Sequence, residues 1–544
     1  MYRATAPRIR TLKGHAGNWT FTRFVSSSAV DAKASSRGPF TWFTGGSASS
    51  LPPLDFPIKG IELPPSLPNY VETGKTKITT LPNGIRIASE SSSDLGASIG
   101  LYVNSGSVFE TPASFGATHL LKRMAFKSTT NRSHLRVVRE VEAIGGNVIA
   151  SASREQMGYT FEAPKTYVPH MVELLVDSVR NQAFLDWEVK EQIEKVKAEI
   201  GEYANNPETL LLEAVHSVGY SGPLANPLHA SEGLLSRINS QVLEDFVAAN
   251  YTAPRMVLAA SGVEHEELLK YAEPLLSDLP GGAQVEEPDS EYIGGDHRVT
   301  ADTGVSLKFN FTLIFLFFYP ISVFYPLDDQ AFFLYQRPSF ALAFELPSGW
   351  LEEKEAIALM VLESLMGGGG CFSIGGPGKG MYSRLYLRVL NEYPEIQSFS
   401  AFSSIYNHTA LFGIRATTDS DFVSKAIDVA AEELIAVASK NAIFDVHLNR
   451  AKKSTKSTIL MSLELRLVAS EDIGKQVLTY GERKPVEYFL KAIDEVTPND
   501  ITSIAEKLLF SPVTMASHGD VTKVPSYNSV NGKFTNFSSG AIAS

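Results

Sequence analysis

Residues 98–121, SIGLYVNSGSVFETPASFGATHLL, and residues 339–362, SFALAFELPSGWLEEKEAIALMVL, present the same features in the same order. Each opens on a strand-like apolar run, turns at Ser-Gly, and continues with apolar residues at helical spacing. A second match follows downstream: AFLDWEVKEQIEKVKAEI (183–200) parallels AIFDVHLNRAKKSTKSTIL (442–460). Two matches in one order predict two homologous halves. Around them, strand pairs alternate with helix pairs instead of single β-α-β units. The expected class is therefore α+β: two homologous α/β halves, each a mostly antiparallel sheet packed with helices, joined by a linker.

Working outward, order is expected to begin at KITTLPNGIRIASE (77–90), where Pro82-Asn83-Gly84 marks a hairpin. The first half is assigned to residues 76–300 and the second to 337–520, with 521–544 a tail. Residues 44–75, rich in Pro, Gly and Ser, read as an extended lead-in. Residues 1–43 carry seven basic residues against one acid, Asp31, with no long apolar run, the pattern of a mitochondrial transit peptide. The chain's −12 overall and the +6 of residues 1–43 leave −18 for residues 44–544. So acidic a body argues against nucleic acid and suits a cationic partner. The single cysteine, Cys371, excludes a disulfide framework or a cysteine zinc site.

His119-Leu120-Leu121-Lys122-Arg123 has the spacing of a helical zinc motif, His-x-x-Glu-His, with two of its working residues replaced. Such a helix needs two imidazoles one turn apart and a carboxylate to take a proton from the metal's water. Lys122 stands at the base position and cannot accept a proton while charged. Arg123 stands at the second ligand position and repels a cation. Glu199, 76 residues after Arg123, lies where a third ligand would fall. His119 with Glu199 cannot make a catalytic zinc site, so no catalytic residue and no metal is assigned to this chain. An ordinary helix histidine accounts for His119. His265-Glu266-Glu267 reads as a solvated helix start.

A second unusual stretch is MGGGGCFSIGGPGKGMYSRLYLRVL (366–390). Gly367, Gly368, Gly369, Gly370, Gly375, Gly376, Gly378 and Gly380 are too many for a regular element, which predicts a long mobile loop between helices. A phosphate loop fails because Gly378-Lys379 is followed by Gly380 in place of Ser or Thr. Glycine backbone can approach an extended peptide closely, so the loop, Lys379 included, is a substrate-binding candidate. Glu352, Glu353 and Glu355, just before the preceding helix, are acidic candidates for the same ligand, a solvated helix N-terminus being the alternative.

GATHLLKRMAFKSTTNRS (116–133), EAIGGNVIASASREQMGYTFEA (142–163), NYTAPRMVLAASGVEHEEL (250–268), the glycine-rich run and SEDIGKQVLTYGER (470–483) together resemble the alpha subunits of mitochondrial processing peptidases, within the pitrilysin-like metallopeptidase family. The likeness extends from about residue 60 to 528 except for 305–336. It implies a non-catalytic chain that binds Arg-rich presequences of imported precursors in an acidic cavity, for cleavage by a zinc-bearing beta subunit in a heterodimer. No cofactor is implied in this chain. The resemblance also implies residence in the mitochondrial matrix, or on the matrix side of the inner membrane. A structural role as a core subunit of ubiquinol–cytochrome c reductase is the alternative, compatible with the first. An autonomous zinc peptidase is a third reading. Alpha subunits commonly keep Glu where this chain has Lys122, so the motif departs even from that pattern.

Residues 305–336, VSLKFNFTLIFLFFYPISVFYPLDDQAFFLYQ, hold eight of the 31 phenylalanines and no glycine. Pro320 and Pro326 interrupt the uncharged part, which makes a poor membrane span, and no direct span is assigned. Phe, Leu, Ile, Tyr and Ser codons are rich in uridine, Val305-Ser306 is what a GTAAGT donor encodes, and Tyr335-Gln336 suits a pyrimidine-A-CAG acceptor. We read the segment as a retained intron or gene-model error. The predominant transcript is expected to join ADTG (301–304) directly to RPSF (337–340); a predominant transcript that keeps the segment contradicts this reading.

Overall fold

The computed structural model describes residues 75–543 except 93, 204–205, 283–286, 301–336, 371–380 and 440–442, all within one compact unit, Glu72–Ser544. The transit-peptide segment 1–43, nearly all of the lead-in and the 305–336 segment lie outside the described residues. So do Gly375, Gly376, Gly378, Lys379 and Gly380.

The first half contributes strands β1 Lys77–Thr80, β2 Arg86–Glu90, β3 Gly96–Val103, β4 Asn147–Ala152, β5 Met157–Pro164, the short β6 Tyr220–Ser221 and β7 Met256–Ser261. Its helices are α1 Ala117–Met124, α2 His134–Ala143, α3 Val168–Arg180, α4 Asp186–Tyr203, α5 Pro207–Gly219, α6 Glu232–Leu235, α7 Ser240–Asn250 and α8 His265–Leu276. The second half contributes β8 Glu291–Tyr292, β9 Gly295–Thr300, β10 Ser339–Leu346, β11 Gly368–Gly370, β12 Ile396–Ile405, β13 Ala410–Thr418 and β14 Thr514–Gly519. Its helices are α9 Glu353–Met366, α10 Val423–Val437, α11 Asp445–Leu463, α12 Arg466–Tyr480, α13 Val486–Glu495, α14 Pro498–Phe510 and α15 Tyr527–Ala543.

The two six-stranded sheets run β1-β2-β7-β3-β5-β4 and β11-β12-β13-β10-β14-β9. β2–β7 and β9–β14 are the parallel pairs, and the other neighbours are antiparallel. β3, β5 and β4 match β10, β13 and β12 in order, so the α+β class and the two homologous halves of the sequence reading stand. The boundary at 300 does not follow the sheets: β9 lies before it yet pairs with β14 in the second sheet. Nor are residues 521–544 a loose tail. α15 buries Val530 and Phe534, whose ring meets Phe344 edge-on at 4.8 Å.

Alternation along the central strands explains how both faces of each sheet are covered. In β10, Phe340, Leu342 and Phe344 face a core with Ile357, Val361, Ile427 and Leu508 from the second half's own helices. Ala341 and Ala343 face the other way and pack with Leu211 and Val215 of α5, a helix from the first half. The first sheet reciprocates. Ile99 and Leu101 face Leu120, Met171 and Leu268, while Ala88, Tyr102, Val257 and Ala259 meet Ile473 and Val477 of α12, from the second half. Each half therefore lends one helix to the back of the other's sheet. Small residues on those backs admit a helix at close range.

Gly474 marks a close approach: a Cβ there would stand 2.1 Å from Cδ2 of the buried Tyr102 ring. Tyr102 is held in place by hydroxyl contacts to Thr160 (3.1 Å) and Ser470 (3.3 Å). Gly474→Ala is expected to destabilise by about 1–3 kcal/mol through overpacking. Gly201→Ala, at a helix position with nothing within 4 Å, is expected to gain about 0.5–1 kcal/mol. Denaturant unfolding of the two variants checks the contrast, and one shared transition for both halves is expected from the helix exchange.

Candidate functional site

α1 starts at a fixed point. Gly116 adopts φ 90°, and a Cβ there would meet Ala230 Cβ at 2.6 Å. The buried Glu110 carboxyl accepts the Gly116 and Thr118 amide N–H groups at 2.8 and 2.7 Å, and burial pushes it up to about 7. Leu120, Leu121 and Met124 enter the first core, which orients His119, Lys122 and Arg123. His119 is buried, its Nδ1 accepts the Ala230 N–H at 3.2 Å, and its ring meets His229 edge-on at 5.4 Å. Burial, then His229, Lys122 and Arg123, lower its pKa to about 4.

The structure brings Arg123 against Glu199 of α4 as an ion pair. The carboxylate at the third-ligand position is thus neutralised by a guanidinium from the second-ligand position. In charge, the side chain stands where a cation would. An open groove beside them is lined by Lys122, Arg123, Phe126, His134, Val148 and Ala150, with edge strand β4 along one side. Among the described residues, no group of three or more His, Cys, Asp and Glu side chains is placed to hold a metal ion. The residues at α1 do not fit zinc.

The glycine-rich run departs from the expected loop at its start. Gly368–Gly370 form β11, paired with Ser398–Ser400 of β12. Glycine is what makes this strand possible: φ is 58° at Gly367 and 103° at Gly368, and a Cβ on Gly368 would lie 2.0 Å from Phe399 O. The acidic candidates divide. Glu353 pairs with Lys484 and accepts the Tyr488 hydroxyl at 2.5 Å. Glu355 pairs with Lys507 and accepts the Ser348 hydroxyl at 2.6 Å. Glu352 stays exposed at the start of α9. Intramolecular partners therefore occupy two of the three.

His265 also differs from its reading as a solvated helix start. It is buried, with Thr79 and Ser89 hydroxyls at 2.8 and 2.9 Å from its two ring nitrogens. His229 lies 110 positions from His119 in the sequence, and only the fold joins them.

Fold and site together define a two-half, metallopeptidase-type chain whose second metal-ligand position and base position are taken by Arg123 and Lys122. A family model described as "Insulinase (Peptidase family M16)" matches residues 86–232, and one described as "Peptidase M16 inactive domain" matches 237–455. The chain is 62% identical over 534 residues to "Mitochondrial-processing peptidase subunit alpha" of Solanum tuberosum, covering 98% of this chain and 99% of that protein. It is 32% identical over 501 residues to the protein of the same name from Homo sapiens, covering 90% of each. A chain of the solved "Complex III2 from Candida albicans, Inz-5 bound" shares the fold at TM-score 0.68 and 18% identity, over 84% of this chain and 99% of that one. The chain belongs to the M16 peptidase family, among the mitochondrial-processing peptidase alpha subunits.

The lowered pKa of His119 gives a pH signature. The folded imidazole, at about 4, stays neutral where the unfolded one, near 6.5, takes up a proton. Its share of stability is present above about 6.5 and is lost as pH falls toward 4, a drop of about 3 kcal/mol for one such group. His229, also lowered by burial, adds to the same slope. Urea unfolding between pH 7 and 4 is expected to show a shallower decline for His119→Gln than for the natural chain.

Proposed function

We propose that this chain is the non-catalytic, substrate-recognition subunit of a mitochondrial processing peptidase, acting on Arg-rich presequences that a zinc-bearing beta subunit cleaves. The observation that carries this reading is the Arg123–Glu199 pair beside Lys122. It removes both the metal charge site and the proton acceptor, while the fold that presents a peptidase site is kept. Charge supports the substrate class: residues 44–544 carry −18, a field that draws basic peptides and raises encounter rates.

The glycine-rich run is the peptide-handling element in this reading, with Gly367–Gly370 anchored at a sheet edge and the remainder following from it. The heterodimer with a zinc-competent beta subunit, and a place in the matrix or on the matrix side of the inner membrane, belong to the same proposal. Among the described residues no helix is long and apolar enough to cross a membrane. Attachment to that membrane through partner subunits belongs to the same proposal. A structural role in ubiquinol–cytochrome c reductase is supported only by the fold likeness to the Candida albicans chain, and no residue of the site favours it.

Cleavage of a synthetic presequence peptide tests the proposal. The chain without residues 1–43 and 305–336 is expected to be inactive alone and active when mixed with a zinc-competent beta-type subunit. Shortening the glycine-rich run is expected to raise KM in the mixture. Cleavage by the isolated chain contradicts the proposal.

A further inference from the structure

The turn between β12 and β13 touches both exchanged helices. His216 of α5 has Nδ1 2.7 Å from Leu212 O, and a carbonyl only accepts, so that nitrogen carries the proton. Its Nε2 therefore accepts the Tyr406 hydroxyl of the turn, at 2.6 Å. Asn407, the next residue, is buried, and its Oδ1 accepts the Thr479 hydroxyl of α12 at 3.2 Å. The carbonyls of Tyr406 and Asn407 accept the Trp350 and Leu351 N–H groups at 2.8 and 3.1 Å, just before α9. Gly349 admits the turn there, since a Cβ on it would stand 2.1 Å from Tyr406 O.

Two carboxyl groups meet this turn from outside the second half's sheet. The Asn407 N–H donates to Oε1 of Glu155, in the β4–β5 turn, at 2.9 Å, and Asn407 Nδ2 donates to Oε1 of Glu287, between the halves, at 2.6 Å. Two acids thus face the two donors of one buried residue. The cations around them are unevenly shared. His408 stands 3.5 Å from Glu287 Oε2, and the Arg255 charge also acts on Glu287. Arg154, beside Glu155 in the chain, is paired with Glu213 of α5 at 3.1 Å. Among the described residues no cation pairs with Glu155. Tyr406 and His216, also close by, are kept uncharged by burial. An ionised Glu155 would have one amide donor and a like charge for company. Burial first, and then Glu287, push Glu155 up from about 4.5 to about 8, against the Asn407 N–H.

We propose that the β12–β13 turn is a proton-operated latch between the two halves, closed while Glu155 is protonated and loosened when Glu155 ionises beside Glu287. The latch is a property of the fold and does not depend on the recognition role proposed above. With the latch open, Glu155 meets water and ionises near 4.5; with it closed, Glu155 keeps its proton up to about 8. Opening therefore releases a proton between those values. It becomes easier as pH rises through that window, by up to about tenfold per pH unit, and levels off above it.

Hydrogen exchange of the Trp350 and Leu351 amides in the full chain reads the latch, taken as protection factors from pH 5 to 9 so that the intrinsic pH dependence of exchange drops out. The natural chain is expected to lose protection up to about pH 8 and then level off. Glu155→Gln keeps an acceptor for the Asn407 N–H but develops no charge. It is expected to give a flat profile, about tenfold or more above the natural chain at pH 8. Glu287→Gln removes the facing like charge and is expected to move the levelling point to lower pH. Where Glu155→Gln fails to fold, Glu287→Gln decides. Profiles of equal slope in the natural chain and Glu155→Gln, offset from one another, make Glu155 merely structural and overturn the latch. An unmoved levelling point in Glu287→Gln overturns it as well.

Discussion

The exchange of α5 and α12 between the halves is the constraint on which the rest of the structure depends. Each sheet buries both faces, one against large apolar residues of its own helices and the other mainly against a helix from the opposite half, joined at the second sheet by Val108, Tyr220 and Leu224. Ala88, Ala259, Ala341 and Ala343 on the exchange faces let the helix approach closely, and where the large Tyr102 stands it is Gly474 on the helix that makes room. The exchange makes the halves interdependent. Within the first half, Val189, Ile193 and Val196 of α4 pack into the same core as Leu120, Leu121 and Met124 of α1, which sets the position of Glu199 relative to α1. The Arg123–Glu199 pair is thus a product of the first half's core packing as much as of the local motif.

From that frame the site follows by substitution of charge. A zinc helix concentrates neutral imidazoles and anionic carboxylates around a cation. Here the cation is covalently part of the chain, as the Arg123 guanidinium against Glu199. Lys122 adds positive potential, and burial keeps His119 and His229 neutral. The arrangement satisfies the Glu199 carboxylate without a metal.

Much of this was legible in the sequence. The repeat of residues 98–121 in 339–362 emerged because strand alternation and helical spacing survive in both copies, and β3 with α1 and β10 with α9 are its outcome. The replaced motif was legible from spacing alone. The helix exchange was not, since α12 has the pattern of any half-buried helix, and its only sequence trace is the small residues Ala88, Gly100, Ala341 and Ala343 on alternate positions of central strands. The strand β11 was hidden because glycine carries no strand propensity and pairs only where β12 supplies an edge. Glu353 and Glu355 drew attention as free acids because their partners, Lys484 and Lys507, lie far along the chain. Charge counting along a sequence cannot see such pairs.

The central claim is that a guanidinium has replaced the metal in this chain. Zinc analysis of the purified complex, before and after its subunits are separated under native conditions, tests it most directly. The account predicts that zinc stays with the beta-type partner and that this chain, titrated with zinc after separation, takes up none in stoichiometric amount. Stoichiometric zinc in the isolated chain, lost on His119→Ala, would contradict it.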